Sequence, residues 1–210
     1  VDGASTDLTM EILEKAKVGL QQIFVSSQPD FGIYDALNRA VKIARGSYYL
    51  VAGADDTFHP EAVANFKKAI ANSGADLVTA HVRSGNLLCG PRKLCWSWLY
   101  GPFAYVSGHA VSLAIRRSLH ERVGYYSRAL PIAADQLFIL KAIEHGASVS
   151  RHAFEAGNFD AVGGASGRDI LGSLLEGYRV QISIGQSKLV QTLVLLIRII
   201  INWPRIQQGS

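Results

Sequence analysis

The chain's 210 residues, 49% of them hydrophobic, can bury one substantial core and argue for one catalytic-size domain rather than two. With 21 Lys and Arg against 17 Asp and Glu, the formal charge of +4 suits anionic ligands or an anionic membrane surface. The basic residues are scattered without a recognition motif, which argues against nucleic acid. Two cysteines, Cys89 and Cys95, support neither a disulfide framework nor a cysteine-rich zinc site and point to a reducing cytoplasm.

No charged segment leads into an apolar one at the N-terminus, so nothing there reads as a secretory signal. Val1-Asp2-Gly3 reads as the tail of a strand entering a turn, which implies an upstream strand and helix. Ser5-Thr6-Asp7 offers N-cap chemistry, and Met10, Leu13, Ala16 and Leu20 recur at helical spacing, predicting a helix over about 7–19. Residues 22–26 are short and β-prone. The turn-forming stretch 27–32 separates them from a second helix, with Tyr34, Leu37, Val41 and Ala44 on one face and Gly46 at its end. A strand over 48–52, a helix over about 60–72 and a strand over 76–82 follow.

Order fades from 84 to 107, where Trp96, Trp98, Tyr100, Phe103 and Tyr105 crowd an irregular segment. Beyond it the pattern predicts a strand over 111–115, a short helix from Ser118, and a helix over 132–143 that opens with Ala133-Ala134-Asp135-Gln136. An extended stretch over 148–161 ends at Gly163-Gly164-Ala165-Ser166-Gly167, and a helix follows over about 168–184. Strands alternating with helices predict an α/β fold with a mostly parallel, helix-flanked sheet, where ligands gather at C-terminal strand edges.

The segment 189–203 is almost continuously Leu, Val and Ile, broken by Gln191, Thr192, Arg198 and Asn202, with Pro204 expected to stop it. At fifteen residues with an internal arginine it falls short of the roughly 20 that span a bilayer. Two readings stand: a helix in the membrane interface with Arg198, Trp203 and Arg205 near the headgroups, or a helix docked on the domain or on a second subunit.

Gly53-Ala54-Asp55-Asp56-Thr57, directly after the apolar run 48–52, carries the most chemistry. Adjacent carboxylates at a strand end can hold a hard divalent cation, which neutralises a diphosphate; they can equally cap the following helix.

In order along the chain stand Val1-Asp2-Gly3-Ala4-Ser5-Thr6-Asp7, then Pro29-Asp30-Phe31-Gly32-Ile33-Tyr34-Asp35-Ala36-Leu37-Asn38, then Gly46-Ser47-Tyr48-Tyr49 leading to Gly53-Ala54-Asp55-Asp56. Gly108-His109-Ala110, Ile115-Arg116-Arg117-Ser118-Leu119 and Ile132-Ala133-Ala134-Asp135-Gln136 follow. This series resembles the family 2 glycosyltransferases of the GT-A fold, especially the bacterial branch that builds colanic-acid-like exopolysaccharides, capsules and O-antigens. The likeness runs from Val1 to about Gly167 and implies that a first βα unit, on the order of 30 residues, precedes the given sequence. It divides the chain into a GT-A domain over 1–187 and an apolar C-terminal helix over 188–210.

The resemblance implies an inverting transfer of a sugar from a nucleotide-diphosphate donor to a hydroxyl of a saccharide or polyprenyl-linked saccharide acceptor, on the inner face of the plasma membrane. It places Asp2, Asp30, Asp35, Asn38 and Asp55 near the nucleotide sugar, Asp56 on Mg²⁺ or Mn²⁺, and Asp135 as catalytic base. His109, Gly164 and Ser166 fall on the acceptor side. An ionised Asp135 accepts the proton of the attacking hydroxyl, and a helix N-terminus favours that ionised form. The chain departs from the family pattern at Gly3, where a second acid is common, at Leu37 and Gln136, and at Gly53, where relatives carry the first Asp of Asp-x-Asp-Asp.

Structural readings stand beside each role: a turn for Asp2, helix capping for Asp30 and Asp135, packing for Asn38 and His109, an ordinary turn for the glycines, and a core-packed lid for the aromatic segment. A nucleotidyltransferase and a non-catalytic nucleotide-sugar-binding module remain the alternative functions.

Overall fold

Side-chain alternation along the internal strands splits the core into two halves, one on each face of a sheet. The computed structural model describes residues 1–19, 22–91, 96–159 and 164–208. Its strands are β1 (Tyr48–Tyr49), β2 (Thr57–Phe58), β3 (Leu77–Ser84), β4 (Leu87–Cys89), β5 (Leu113–Arg116) and β6 (Val149–Asn158). The helices are α1 (Thr9–Gly19), α2 (Ile33–Ile43), α3 (Ala62–Ser73), α4 (Ser97–Tyr100), α5 (Leu119–Val123), α6 (Ala134–Glu144), α7 (Ala165–Arg168), α8 (Ile170–Ser183) and α9 (Lys188–Gln208), with a 3-10 turn over Gly101–Ala104 after α4.

The sheet runs β1-β5-β3-β6-β2, with β4 beside β3. Leu77 of β3 and Leu113 and Ile115 of β5 face α2, α5, α6 and α8, where they meet Tyr34, Leu119, Phe138, Ile139 and Val180. The intervening Val78, Ala80, Val82 and Ala114 face α3, packing on Ala62, Phe66 and Ala69. The two-residue period thus places the apolar content of β3 on both faces, as a sheet covered by helices on both sides requires.

The α/β class holds, but the sheet is mixed where a mostly parallel one is expected. Among the named strands β3 and β6 pair in parallel, whereas β1–β5, β3–β5, β3–β4 and β2–β6 are antiparallel. Antiparallel neighbours need no helical crossover, and the irregular stretch between β4 and β5 lets β5 enter beside β3 in the reverse direction.

Other elements shift in extent. The expected strand over 22–26 is reduced to one parallel bridge between Asp2 and Ser27. The expected strand over 48–52 is formal only over β1, although the Val111 amide still donates to the Val51 carbonyl at 2.7 Å.

The C-terminal helix corrects three expectations. It continues through Pro204 to Gln208, and over 188–207 it is long and apolar enough to cross a bilayer by length and composition. Arg198 does not reach toward headgroups: its guanidinium donates to the Leu99 carbonyl. Gln191, 3% exposed, donates to the Trp98 carbonyl at 2.7 Å, and Gln181 of α8 reaches Ser97 at 3.3 Å. Gln191 and Arg198 thus meet the Trp98 and Leu99 carbonyls at the end of the short helix α4, and Gln181 joins the Gly101 amide on the Ser97 carbonyl. Gln191 and Arg198, two of the polar breaks in the apolar run, therefore face the protein. Ile200 and Ile201, 72% and 70% exposed, face outward with Leu189 and Leu193.

Candidate active site

Asp135 stands in the first turn of α6, whose N-cap is Ala133 with no side-chain capping bond. It is therefore not a plain N-cap aspartate. The Tyr34 hydroxyl, from the first turn of α2, lies 2.7 Å from Asp135 Oδ1 and 2.8 Å from the Ile132 carbonyl. Burial first, and then the charge of Asp135, push the Tyr34 phenol above its usual range, so it remains a donor to the carboxylate. A carboxylate gripped through one oxygen holds its other in a fixed direction.

The two residues that lead into α6 are held by another helix. Glu176 of α8, buried, accepts from the amides of Ile132 at 2.9 Å and Ala133 at 2.8 Å through one oxygen. The Ala-Ala opening of this helix signals that need, since alanine offers its amides no acceptor, but sequence does not say which acid answers it. Glu176→Ala should lower stability by about 3 kcal/mol, the order expected when buried amides lose a charged acceptor. The urea midpoint checks this; Glu176→Gln, which keeps an oxygen, should recover part of the loss.

Asn38 clasps the backbone of Tyr126, its Nδ2 donating to the Tyr126 carbonyl and its Oδ1 accepting from the Tyr126 amide, both at 2.9 Å. Its role is thus to hold a buried tyrosine. The ring of that tyrosine lies 5.7 Å from Tyr34 and 5.3 Å, edge-on, from His109. His109 Nε2 sits 2.7 Å from the Tyr126 hydroxyl. Burial lowers the His109 pKa, opposed by the nearby charge of Asp135. Asp35 is buried and ion-paired with Arg128. Tyr34, Asn38, His109 and Asp135 thus gather around Tyr126, a residue that sequence analysis missed for want of any motif.

Asp2 and Asp30 meet at a second corner. The oxygens of Asp2 take the amides of Ala4 and Ser5 at 3.0 Å and the hydroxyls of Ser5 and Ser27 at 2.5 Å. These bonds, that to Ser27 foremost, hold its pKa at about 2. Asp2 is engaged by its own turn. Asp30 pairs with Arg39 at 3.4 Å and accepts the Gly32 amide at 2.9 Å. A Cβ on Gly3 would stand 2.8 Å from Asp30 Oδ2, so the Asp30 carboxylate fills the space beside the position where relatives carry an acid.

The acidic pair follows β1. Asp56 Oδ2 accepts the Gly53 amide at 2.7 Å, closing the turn, while Asp55 is exposed. A Cβ on Gly53 would lie 2.6 Å from Asp55 Oδ1 and 3.2 Å from Asp56 Oδ2. Both carboxylates therefore converge over a glycine that leaves the space open, an all-oxygen donor set that fits Mg²⁺ or Mn²⁺. Among the described residues no cluster of three or more His, Cys, Asp or Glu side chains is placed to hold a metal. A bound cation would need its remaining ligands from substrate phosphate and water. The acidic loop adjoins the His109 segment through the Val111–Val51 hydrogen bond.

A cleft of about 420 Å³ opens beside Gln136, walled by Tyr100, Phe103, Ser107, Gly177 and Arg198. The Gly164 carbonyl accepts the amides of Gly167 and Arg168 at 3.0 and 3.1 Å at the start of α7, which contains Ser166. Gly163 lies outside the described residues.

The model of the glycosyl transferase family 2 matches residues 1–129. The chain belongs to this family. It is similar across nearly its whole length to curated glycosyltransferases. Over 222 residues, 98% of this chain and 78% of the relative, it is 25% identical to a PGL/p-HBAD biosynthesis glycosyltransferase of Mycobacterium bovis and to its counterpart in Mycobacterium tuberculosis. Among solved structures it is similar to S. aureus TarS residues 1-349, with a TM-score of 0.66 and 20% identity over 94% of this chain. A mannosyltransferase from Pyrobaculum calidifontis, in complex with GDP-Man and Mn²⁺, gives a TM-score of 0.67 and 18% identity over 99% of this chain. The chain spans 60% of that TarS chain and 63% of the mannosyltransferase chain. At these identities the likeness carries the GT-A fold, and the family carries the enzyme class.

Proposed function

We propose that this chain transfers a sugar from a nucleotide-diphosphate donor to an acceptor hydroxyl with inversion at the anomeric carbon, Asp135 serving as base. The observation that carries this reading is the double anchoring of Asp135, by Tyr34 at its carboxylate and by Glu176 at its helix. The acceptor hydroxyl attacks the anomeric carbon opposite the diphosphate, the carbon–oxygen bond to the diphosphate breaks, and Asp135 receives the hydroxyl proton. Fixed orientation and charge complementarity supply most of the rate. Asp56 and Asp55 would hold Mg²⁺ or Mn²⁺, which when bound neutralises charge on the departing diphosphate. TarS structures with UDP and UDP-GlcNAc and the mannosyltransferase with GDP-Man and Mn²⁺ support a donor of this class. Mn²⁺-dependent release of UDP or GDP across a panel of nucleotide sugars tests the reading. Release of pyrophosphate, or binding without turnover, would overturn it.

The acceptor is proposed to be lipid-linked, in surface polysaccharide synthesis, with residues 1–187 as the catalytic domain and the helix from 188 onward resting on the inner face of the membrane. In α9 the polar side chains bond to α4 while Leu193, Ile197 and Ile200 form an outward apolar row. No acid follows Glu176, and besides the inward-facing Arg198 the basic residues Arg179, Lys188 and Arg205 do. Each buried Leu or Ile contributes about 1.5–3 kcal/mol, and each basic residue near an anionic surface about 1 kcal/mol. The double variant Leu193→Glu/Ile200→Glu should therefore bind anionic vesicles at least about tenfold more weakly. Equal vesicle binding by variant and parent in a sedimentation assay would remove the membrane proposal.

A further inference from the structure

Four rings from four segments of the chain are hydrogen-bonded end to end, and the protons along them can be assigned one after another. His120 Nδ1 lies 3.1 Å from the Gly124 carbonyl, which only accepts, so Nδ1 carries a proton. The His120 ring is stacked on Phe138 at 4.4 Å and Tyr125 at 5.2 Å, and burial lowers its pKa. It is neutral, and its Nε2 is bare. That nitrogen, 2.7 Å from the Tyr49 hydroxyl, takes the Tyr49 proton. The 2.7 Å contact between the hydroxyls of Tyr49 and Tyr126 must then use the Tyr126 proton. Tyr126 is left with lone pairs alone for His109 Nε2 at 2.7 Å, so His109 is protonated on Nε2 and bare on Nδ1.

Such a chain could conduct a proton or fix one. A proton entering at His109 would travel to His120 and stop, because the next group is a carbonyl and the imidazolium formed would be enclosed by aromatic rings. The chain is a lock rather than a wire.

We propose that Tyr126, Tyr49 and His120 are positioning residues that hold His109 as its Nε2–H tautomer, and that the free Nδ1 accepts a hydrogen bond from a second hydroxyl of the acceptor sugar. This rests on the transferase reading for its substrate, but the lock itself does not. His109 meets Tyr126, whose ring lies 5.7 Å from that of Tyr34, the residue bonded to Asp135, so the hydroxyl it binds belongs to the same acceptor as the one Asp135 deprotonates. Asn38 belongs to the same device, because it fixes the Tyr126 backbone. An acceptor-only nitrogen selects a hydroxyl donor and rejects an ether or a carbonyl at that place.

Histidine-selective ¹⁵N labelling, with proton–nitrogen correlation through two bonds, distinguishes protonated from bare ring nitrogens without any turnover. The expected spectrum shows His109 protonated on Nε2 and His120 on Nδ1. Tyr126→Phe should give a tautomer mixture at His109, and acceptor KM should rise about tenfold with donor KM unchanged, the scale of one lost hydrogen bond. Tyr49→Phe, which removes a hydroxyl farther along the chain, should produce a weaker form of both effects and serves where Tyr126→Phe does not fold. His109 protonated on Nδ1 in the parent protein would overturn the lock, as would an unchanged tautomer in both variants. A shifted tautomer with acceptor KM unchanged would overturn the substrate contact.

Discussion

Asp135→Asn is expected to lower kcat by about 10²–10⁴-fold while donor KM stays within a few-fold of its original value, the range over which a positioned general base contributes. Asparagine keeps the shape and, through its amide oxygen, the bond from Tyr34, so the site stays assembled. What disappears is the lone-pair basicity toward the acceptor hydroxyl. The structure makes this variant discriminating, because Asp135 makes no capping bond to its helix, and the Ile132 and Ala133 amides that lead into α6 are held by Glu176. Were Asp135 merely structural, the asparagine would cost little in rate. Nucleoside diphosphate release under saturating donor and acceptor checks it, and turnover within about tenfold of the original would exclude Asp135 as base.

Much of this arrangement was legible in the residues, for reasons that differ from element to element. Helical spacing located α1 and α2, the latter because it buries one stripe against the sheet, and the strand expected over 76–82 coincides with β3. Sheet direction was not legible, since β5 enters without a crossover helix and leaves no signal in composition. Sequence leaves two readings for α9, and the placement of Arg198 decides between them only once α4 is seen to present it with a carbonyl. The site divides along the same line. Asp135 is proposed from the family resemblance and the acidic pair from its local motif, and the departures at Gly3 and Gly53 acquire a spatial meaning, since other carboxylates stand beside each glycine. Tyr34, Tyr126 and Glu176 act on partners 101, 17 and 44 residues away. No short pattern records contacts of that length.

Asp56→Ala is expected to lower Mn²⁺-dependent turnover by about 10²-fold or more, a barrier increase of several kcal/mol. It should also weaken Mn²⁺ binding as followed by the paramagnetic resonance of the ion in the presence of nucleoside diphosphate. Alanine alone is ambiguous, because Asp56 Oδ2 also holds the Gly53 amide at 2.7 Å and its loss loosens the turn. Asp56→Asn resolves this: the amide oxygen still accepts from Gly53, but the negative charge is gone. A charge-based role predicts that asparagine fails nearly as badly as alanine, whereas a turn-holding role predicts near-complete rescue. Asp55→Asn should cost less, since Asp55 is exposed and makes no turn-closing bond like that of Asp56. Gly53→Ala tests the geometry from the other side. Its methyl would meet Asp55 Oδ1 at 2.6 Å, so the two carboxylates must part, and Mn²⁺ affinity should fall although no ligand has been removed.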